Sequence, residues 1–322
     1  MNQKQSINVI VRSRPKNQRE KLMELPKCVQ IEQNKITVQN ITKWDDEEPI
    51  QDEVNEKFTF NHVYDENSQN KTIFDEQISN LVDKVVLGYN VTIMTYGQTG
   101  AGKSFTLFGH PEVPGIMSLS VQRLFQSLSE YKDPQVSCSF FEVFDEHTKK
   151  LIQNPCDQQE KHSEQKLQSS AIRSFAEFQQ VIESGKKLYT SNSKLYIPAE
   201  RASHVVQIAV KLKNKSCLLS FVDLQSSNTP KPAHGTHTDL SISFKNVISS
   251  IEQNTHIPYT KITQLFQESL GGNAFCTVVF NINPYDCEES ISSLRLAQRV
   301  AQVMNTPKIN TQDQPQKTEK TA

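Results

Sequence analysis

The chain has 322 residues, 36% hydrophobic and 22% charged, a balance that predicts a folded protein rather than the charge-rich, aromatic-poor composition of disorder. Lys and Arg number 35 against 36 Asp and Glu, and the net charge of -1 supplies no long-range attraction to a polyanion, which argues against a nucleic-acid partner. The six cysteines form no Cys-x-x-Cys pair and no apolar leader or 18-residue apolar run occurs, so the expectations are reduced, mostly buried thiols, no membrane partner and a cytoplasmic or cytoskeletal setting.

In chain order, residues 7–11 (INVIV) read as a buried strand stopped by Arg12-Ser13-Arg14-Pro15, since proline cannot continue the ladder. Residues 16–57 are polar with short apolar patches and predict small strands on a surface lobe. Phe74, Ile78, Leu81, Val82 and Val85 recur at helical spacing, and Gly88 follows as a cap. Residues 91–96 (VTIMTY) form a buried strand that runs into a glycine-rich turn. Further strands are expected at 138–144, 205–212, 217–224 and 276–282, with helices near 240–251, 262–270 and 288–303. Strands alternating with helices give an α/β fold, a mixed sheet containing parallel strands with helices on both faces. Residues 1–310 read as one domain and residues 311–322 as a polar, disordered tail. No heptad run follows the last helix, so no coiled-coil dimerisation is expected in this chain.

Gly97, Gln98, Thr99, Gly100, Ala101, Gly102, Lys103 and Ser104 fit G-x-x-x-x-G-K-[ST], and the motif follows the buried strand it requires. Glycines let successive backbone N–H groups wrap a β-phosphate, Lys103 sets a charge between β- and γ-phosphates, and the Ser104 hydroxyl is a ligand for Mg²⁺. Asp223, closing an apolar strand, is the candidate second magnesium partner; by itself such an Asp is as often a plain strand terminator.

The stretch from Gly88-Tyr89-Asn90 through TIMTYGQTGAGKSFTLFG resembles the kinesin motor family. So do, in order, Arg12-Ser13-Arg14-Pro15, Phe141-Glu142-Val143-Phe144, Arg201-Ala202-Ser203-His204, Val222-Asp223-Leu224, Ser269-Leu270-Gly271-Gly272-Asn273 and Ser293-Leu294-Arg295-Leu296-Ala297. The resemblance implies the kinesin-type P-loop NTPase motor fold, ATP or ADP with Mg²⁺ as cofactors, and microtubules as partner, met directly or within a larger cytoskeletal assembly. Residue by residue it sets Arg12 and Pro15 beside adenine, with Phe105 at an aromatic position near the base; helix packing is the alternative for Phe105. It also makes Ser203, Asp223 and Ser226 the candidates for work at the γ-phosphate, and residues 305–310 (NTPKIN) resemble a neck linker.

Both switches depart from the family. Aligned on His204, Glu200 and Arg201 replace the two serines of N-x-x-S-S-R-S-H, and Ala202 replaces its arginine; slipping the register by one puts Ala199 and Glu200 at the serine places. The second switch, D-L-A-G-S-E in the family, reads Asp223-Leu224-Gln225-Ser226-Ser227-Asn228, so glycine becomes Ser226 and the glutamate Asn228. The segments after Asp223 and after Tyr259 are shorter than in the family, leaving Lys149, Lys150, Lys261 and Arg295 as candidate polymer contacts or solvated charges. The resemblance therefore implies an ATP-binding, microtubule-associated motor domain with impaired hydrolysis and motility. A non-motile pseudo-motor serving as a nucleotide-stabilised scaffold or adaptor is the alternative, and a P-loop kinase or GTPase is disfavoured because no guanine motif or lid arginine cluster is present.

Overall fold

A computed structural model of the chain describes residues 4–45, 48–144, 147–150, 169–193, 202–225, 240–257 and 263–311. The central sheet is made of β1 (Asn8–Ser13), β2 (His62–Tyr64), β3 (Asn90–Tyr96), β4 (Gln135–Phe144), β5 (His147–Lys150), β6 (Ser203–Leu212), β7 (Lys215–Asp223) and β8 (Ala274–Ile282). Their spatial order is β5-β4-β6-β7-β3-β8-β1-β2, with Ser170–Ala171 added to β4. From β7 to β2 the neighbours are parallel, whereas β6 is antiparallel to both β7 and β4. The sheet is mixed, as expected.

Parallel neighbours need crossovers; the connections between strands carry α1 (Ser79–Val86), α2 (Lys103–Leu107), α3 (Ile116–Leu128), α4 (Phe175–Ser193) and α5 (Leu240–Glu252), and α6 (Cys287–Val300) follows β8. Successive strand residues face opposite sides of a sheet, and the core divides accordingly. Val9, Val11, Met94, Tyr96, Val278 and Phe280 pack with α5 and α6, while Ile10, Val91, Ile93 and Val279 pack with α1, α3 and α4. Helices thus cover both faces, and the loops at the C-terminal ends of β1, β3, β7 and β8 are gathered at one edge, where open α/β sheets place ligands.

Several local expectations need correction. The lobe strands are not small: Val29–Glu32, Lys35–Asp45 and Glu48–Thr59 form an antiparallel three-stranded sheet with a long hairpin. The helix beginning near Phe74 starts earlier, at Asn70, and passes through a π-turn at Phe74–Ile78 before α1. Gly88 N donates to Val85 O at 2.9 Å, as a cap should. The helix expected at 262–270 is only a 3₁₀ turn, Thr263–Phe266; a Cβ at Gly272 would stand 2.2 Å from Gln267 O, so the chain folds back on itself there and leaves no room for further turns. Helices α3 and α4 were not expected, although Ile116, Leu119, Leu124 and Leu128, and Phe175, Phe178 and Ile182, keep helical spacing. Cys28, Cys138, Cys217 and Cys276 are buried, unpaired thiols and Cys287 is half-buried; Cys156 lies outside the described residues. Among the described residues no helix is long and apolar enough to cross a membrane.

The neck-linker-like stretch lies along the sheet's edge. Met304–Asn305 pairs antiparallel with Gln5–Ser6, Thr306 N donates to Gly272 O at 2.9 Å, and Asn310 N donates to Gly88 O at 2.8 Å. Thr311 forms a bridge with Lys215, one residue past the proposed domain end at 310; the rest of the tail lies outside the described residues.

Candidate functional site

Strand β3 delivers the glycine-rich loop, and the loop's backbone explains its glycines. Gly97 has φ +145° and a Cβ there would lie 2.1 Å from Asn281 O, so the loop presses against the end of β8. Gly100, with φ +74°, has open space around its Cβ position, so the concave side of the loop is unobstructed. Gly102, also at positive φ, starts α2. Ala101 is buried, while Thr99 and Gly100 are exposed at the rim. Gln98 is buried and donates from Nε2 to Asp286 Oδ2 at 2.7 Å; Asp286 also caps α6, so that helix holds the loop's base. Lys103 is buried with its Nζ 2.9 Å from both Gly97 O and Gln98 O, which sets its ammonium inside the curve of the loop.

Beside the lysine three oxygen donors converge. Parallel pairing of β7 with β3 sets Asp223 opposite Thr95; Thr95 Oγ1 donates to Asp223 Oδ1 and Ser104 Oγ to Asp223 Oδ2, each at 2.7 Å. One carboxylate and two hydroxyls are hard donors of the kind Mg²⁺ takes when phosphate and water supply its remaining ligands. No cluster of three or more His, Cys, Asp or Glu suited to a metal occurs among the described residues. The donor set therefore fits magnesium: Ser104 and Asp223 would hold it, and it would supply charge neutralisation of the phosphates.

On the loop's other flank, Arg12 ends β1 and is 7% exposed. Its guanidinium donates to Asn70 Oδ1, to Thr106 Oγ1 at 2.8 Å and to Ser68 O at 2.9 Å, and lies 5.3 Å from the centroid of the Phe105 ring, within cation–π range. Burial pulls its pKa down to about 10, so the group stays charged at neutral pH. Among the described residues no carboxylate neutralises it. Phe105 is 42% exposed, so its ring is only partly packed: one face meets a cation and part of the rest meets solvent. Pro15 is exposed, and its carbonyl accepts from Arg14 Nη1 at 2.8 Å; no hydrogen bond joins it to Arg12 or Phe105.

The switch-like segments are only partly described. Ser203 is fully buried and its Oγ accepts from Gln225 N at 2.8 Å, which joins it to the second switch. Ala202 is 4% exposed. Glu200, Arg201, Ser226 and Asn228 lie outside the described residues. His204 pairs with Asp223 across β6 and β7, and packs against Phe108 and Phe140 with Nε2 4.0 Å from Glu142 Oε1.

Burial lowers the His204 pKa, and the charge of Asp223 opposes this only in part. His62 shifts the same way, lowered by burial and raised by Glu76. Below the ordinary histidine value the unfolded chain binds these protons before the folded one, so stability falls as pH drops from about 6.5 toward the depressed values. The melting temperature of the wild type is expected to drop over that window, and His204→Gln to flatten the drop, with His62 leaving a residue of it; a drop identical in wild type and variant excludes His204 as its source.

Of the candidate polymer contacts, Arg295 is in an ion pair with Glu56, Nη2 to Oε1 2.5 Å. Its neighbour on α6, Arg299, pairs with Glu252 at 2.6 Å and reaches Ser249 Oγ at 2.8 Å. Lys149 and Lys150 lie on β5, their side chains outside the described residues, as is all of Lys261. Sequence reading missed Asn70, Thr106 and Asn281 around Arg12, and Thr95 beside Asp223; of these only Thr95, inside a recognisable strand just ahead of the loop, had a local signal.

The family model of the kinesin motor domain matches residues 12–303. The chain is 29% identical over 350 residues to a kinesin heavy chain of Botryotinia fuckeliana, covering 96% of this chain and 38% of that protein. To kinesin-like protein KIF3C of Rattus norvegicus it is 27% identical over 372 residues, covering 95% and 46%. It thus spans less than half the length of these curated relatives. A solved structure of a fast kinesin superposes with a TM-score of 0.80 at 26% identity, covering 98% of this chain and 97% of that one.

Proposed function

The chain belongs to the kinesin motor-domain family, and from that premise we propose that it binds ATP and ADP with magnesium at Gly97–Ser104, associates with microtubules, and turns ATP over slowly. The observation that carries the nucleotide reading is the convergence of exposed Ser104 with buried Lys103, Thr95 and Asp223 beside one loop. Phosphoryl transfer depends on positioning and charge stabilisation, so binding and rate rest on different residues. Those proposed for binding converge on the glycine-rich loop. Those for rate are altered: Ala202 stands where the family has the arginine of the switch clamp, and Ser203 is engaged with Gln225. Losing about 3–4 kcal/mol of transition-state stabilisation slows hydrolysis by two to three orders of magnitude.

A non-motile scaffold on microtubules is the second reading, favoured by the same altered switch residues. Among the described residues, Arg295 and Arg299 of α6 are ion-paired with acids of this same chain. Phosphate release from purified protein, with and without microtubules, tests the two together. A slow basal rate that microtubules leave nearly unchanged is the expected result, co-sedimentation with microtubules then measuring the association itself; many-fold stimulation overturns the slow-turnover reading, and absence of co-sedimentation overturns the microtubule one.

A further inference from the structure

The Arg12–Phe105 pair has a support that neither switch nor loop provides. Asn70 opens the short helix Asn70–Ile73 and is fully buried. Its Oδ1 accepts from Arg12 Nη1, and its Nδ2 donates to Phe105 O at 3.0 Å and to Pro114 O at 3.1 Å. One amide therefore grips both halves of the pair, the guanidinium through its oxygen and the backbone bearing the aromatic ring through its nitrogen.

Among the described residues nothing nearby can take over this task. The Thr106 hydroxyl has one proton and two lone pairs; the proton goes to Gly102 O at 2.9 Å, and the lone pairs take Arg12 Nη1 and Asn281 Nδ2, each at 2.8 Å. That group is saturated. Ser68 supplies only a backbone carbonyl, 2.9 Å from Nη2. Without Asn70 the Arg12 Nη1 keeps a single acceptor, and the carbonyls of Phe105 and Pro114 lose a shared donor.

We infer that Asn70 is a positioning residue that sets the affinity for the nucleoside part of the ligand by holding the Arg12 cation and the Phe105 ring as one platform, while leaving the affinity for the phosphates to the glycine-rich loop. The inference rests on the proposed nucleotide site and adds the residue that divides its binding between base and phosphates. The platform accepts any flat π-face, because stacking on an aromatic ring and a guanidinium reads no base edge. A residue that merely stabilised the fold would weaken all ligands alike. Asn70 is predicted to separate them, because its three partners lie on the base side and none belongs to Lys103, Ser104 or Asp223.

The test is a pair of titrations on the full chain with magnesium present, one with ADP and one with inorganic pyrophosphate, for wild type, Asn70→Ala and the isosteric Asn70→Asp, which fills the same volume. Asn70→Asp keeps the acceptor for Arg12 but loses both donors and neutralises the cation, so it acts in the same direction. For both variants ADP binding is expected to weaken by about ten- to a hundredfold, the range for losing a base–aromatic stack, with pyrophosphate binding unchanged. The ratio of the two affinities is independent of how much protein folds, so partial unfolding of Asn70→Ala does not mimic the result. Variants that keep the wild-type ratio overturn the role of Asn70 while leaving the nucleotide site standing; wild type that binds neither ligand overturns both.

Discussion

Lys103→Ala is expected to abolish the nucleotide-dependent rise in melting temperature that the wild type shows at millimolar Mg·ATP or Mg·ADP. A ligand that binds only the native state must stabilise it in proportion to its concentration over Kd. The ammonium lies inside the loop, 2.9 Å from two of its carbonyls, and is the one side-chain cation of the loop itself. Each charge-assisted hydrogen bond it makes to phosphate contributes about 1.5–3 kcal/mol. Two such bonds amount to roughly two to four decades of Kd, enough to carry a micromolar ligand out of the measurable range. The fold does not come through untouched: Gly97 O and Gln98 O lose their donor, so the ligand-free variant is expected to melt lower by an amount reflecting about 1–3 kcal/mol. An unchanged ligand-induced shift in the variant, or no shift in the wild type, removes the loop from the nucleotide site.

How far such a site can be read from sequence depends on whether its parts are near one another in the chain. The loop was legible because Gly97 to Ser104 are contiguous and each glycine answers a local demand of the backbone, as Gly97 against Asn281 O shows. Asp223 was legible as the end of an apolar strand, but its bond to Ser104 spans 119 residues and follows only from the parallel pairing of β7 with β3. Asn70 was not legible. It sits in the polar stretch DENSQNKT, its partners are 35 to 58 residues away, and an asparagine in such surroundings carries no periodic or motif signal. Ser203 shows a different limit: its place in the resemblance pointed to the phosphate, and only the folded structure shows that its Oγ also accepts from Gln225 N. At fold level the buried strands were read well because a strand covered on both faces is apolar throughout. The missing turns after Phe266 depend on the close approach of Gly272 to Gln267, which no periodicity reports.

The double change Ala202→Arg with Asn228→Glu is expected to raise the ATP hydrolysis rate by about tenfold, equivalent to about 1.4 kcal/mol of transition-state stabilisation, while neither single change raises it. Ala202 is 4% exposed and adjoins Ser203, whose hydroxyl already joins the first switch to Gln225 of the second. An arginine placed there alone buries a cation, and a glutamate at position 228 alone adds an anion without its partner; removing the partner of such a charge is costly, on the order of 3–5 kcal/mol where burial is complete. Ala202→Arg is therefore expected to lower the melting temperature, and the second change to restore part of it. The two side chains act as a unit, so their effects on rate and stability should be strongly non-additive, and a double-mutant cycle measures the coupling directly. Rescue stays incomplete because Ser226 replaces a glycine whose backbone freedom the family's second switch uses, and because the segment after Asn228 is short. Changing Ser226→Gly on top of the pair should then add a further increase. Additive single effects, or a wild-type domain that microtubules already stimulate strongly, would show that turnover is set elsewhere and that Glu200, Arg201 or Ser203 has taken over the work of the missing clamp.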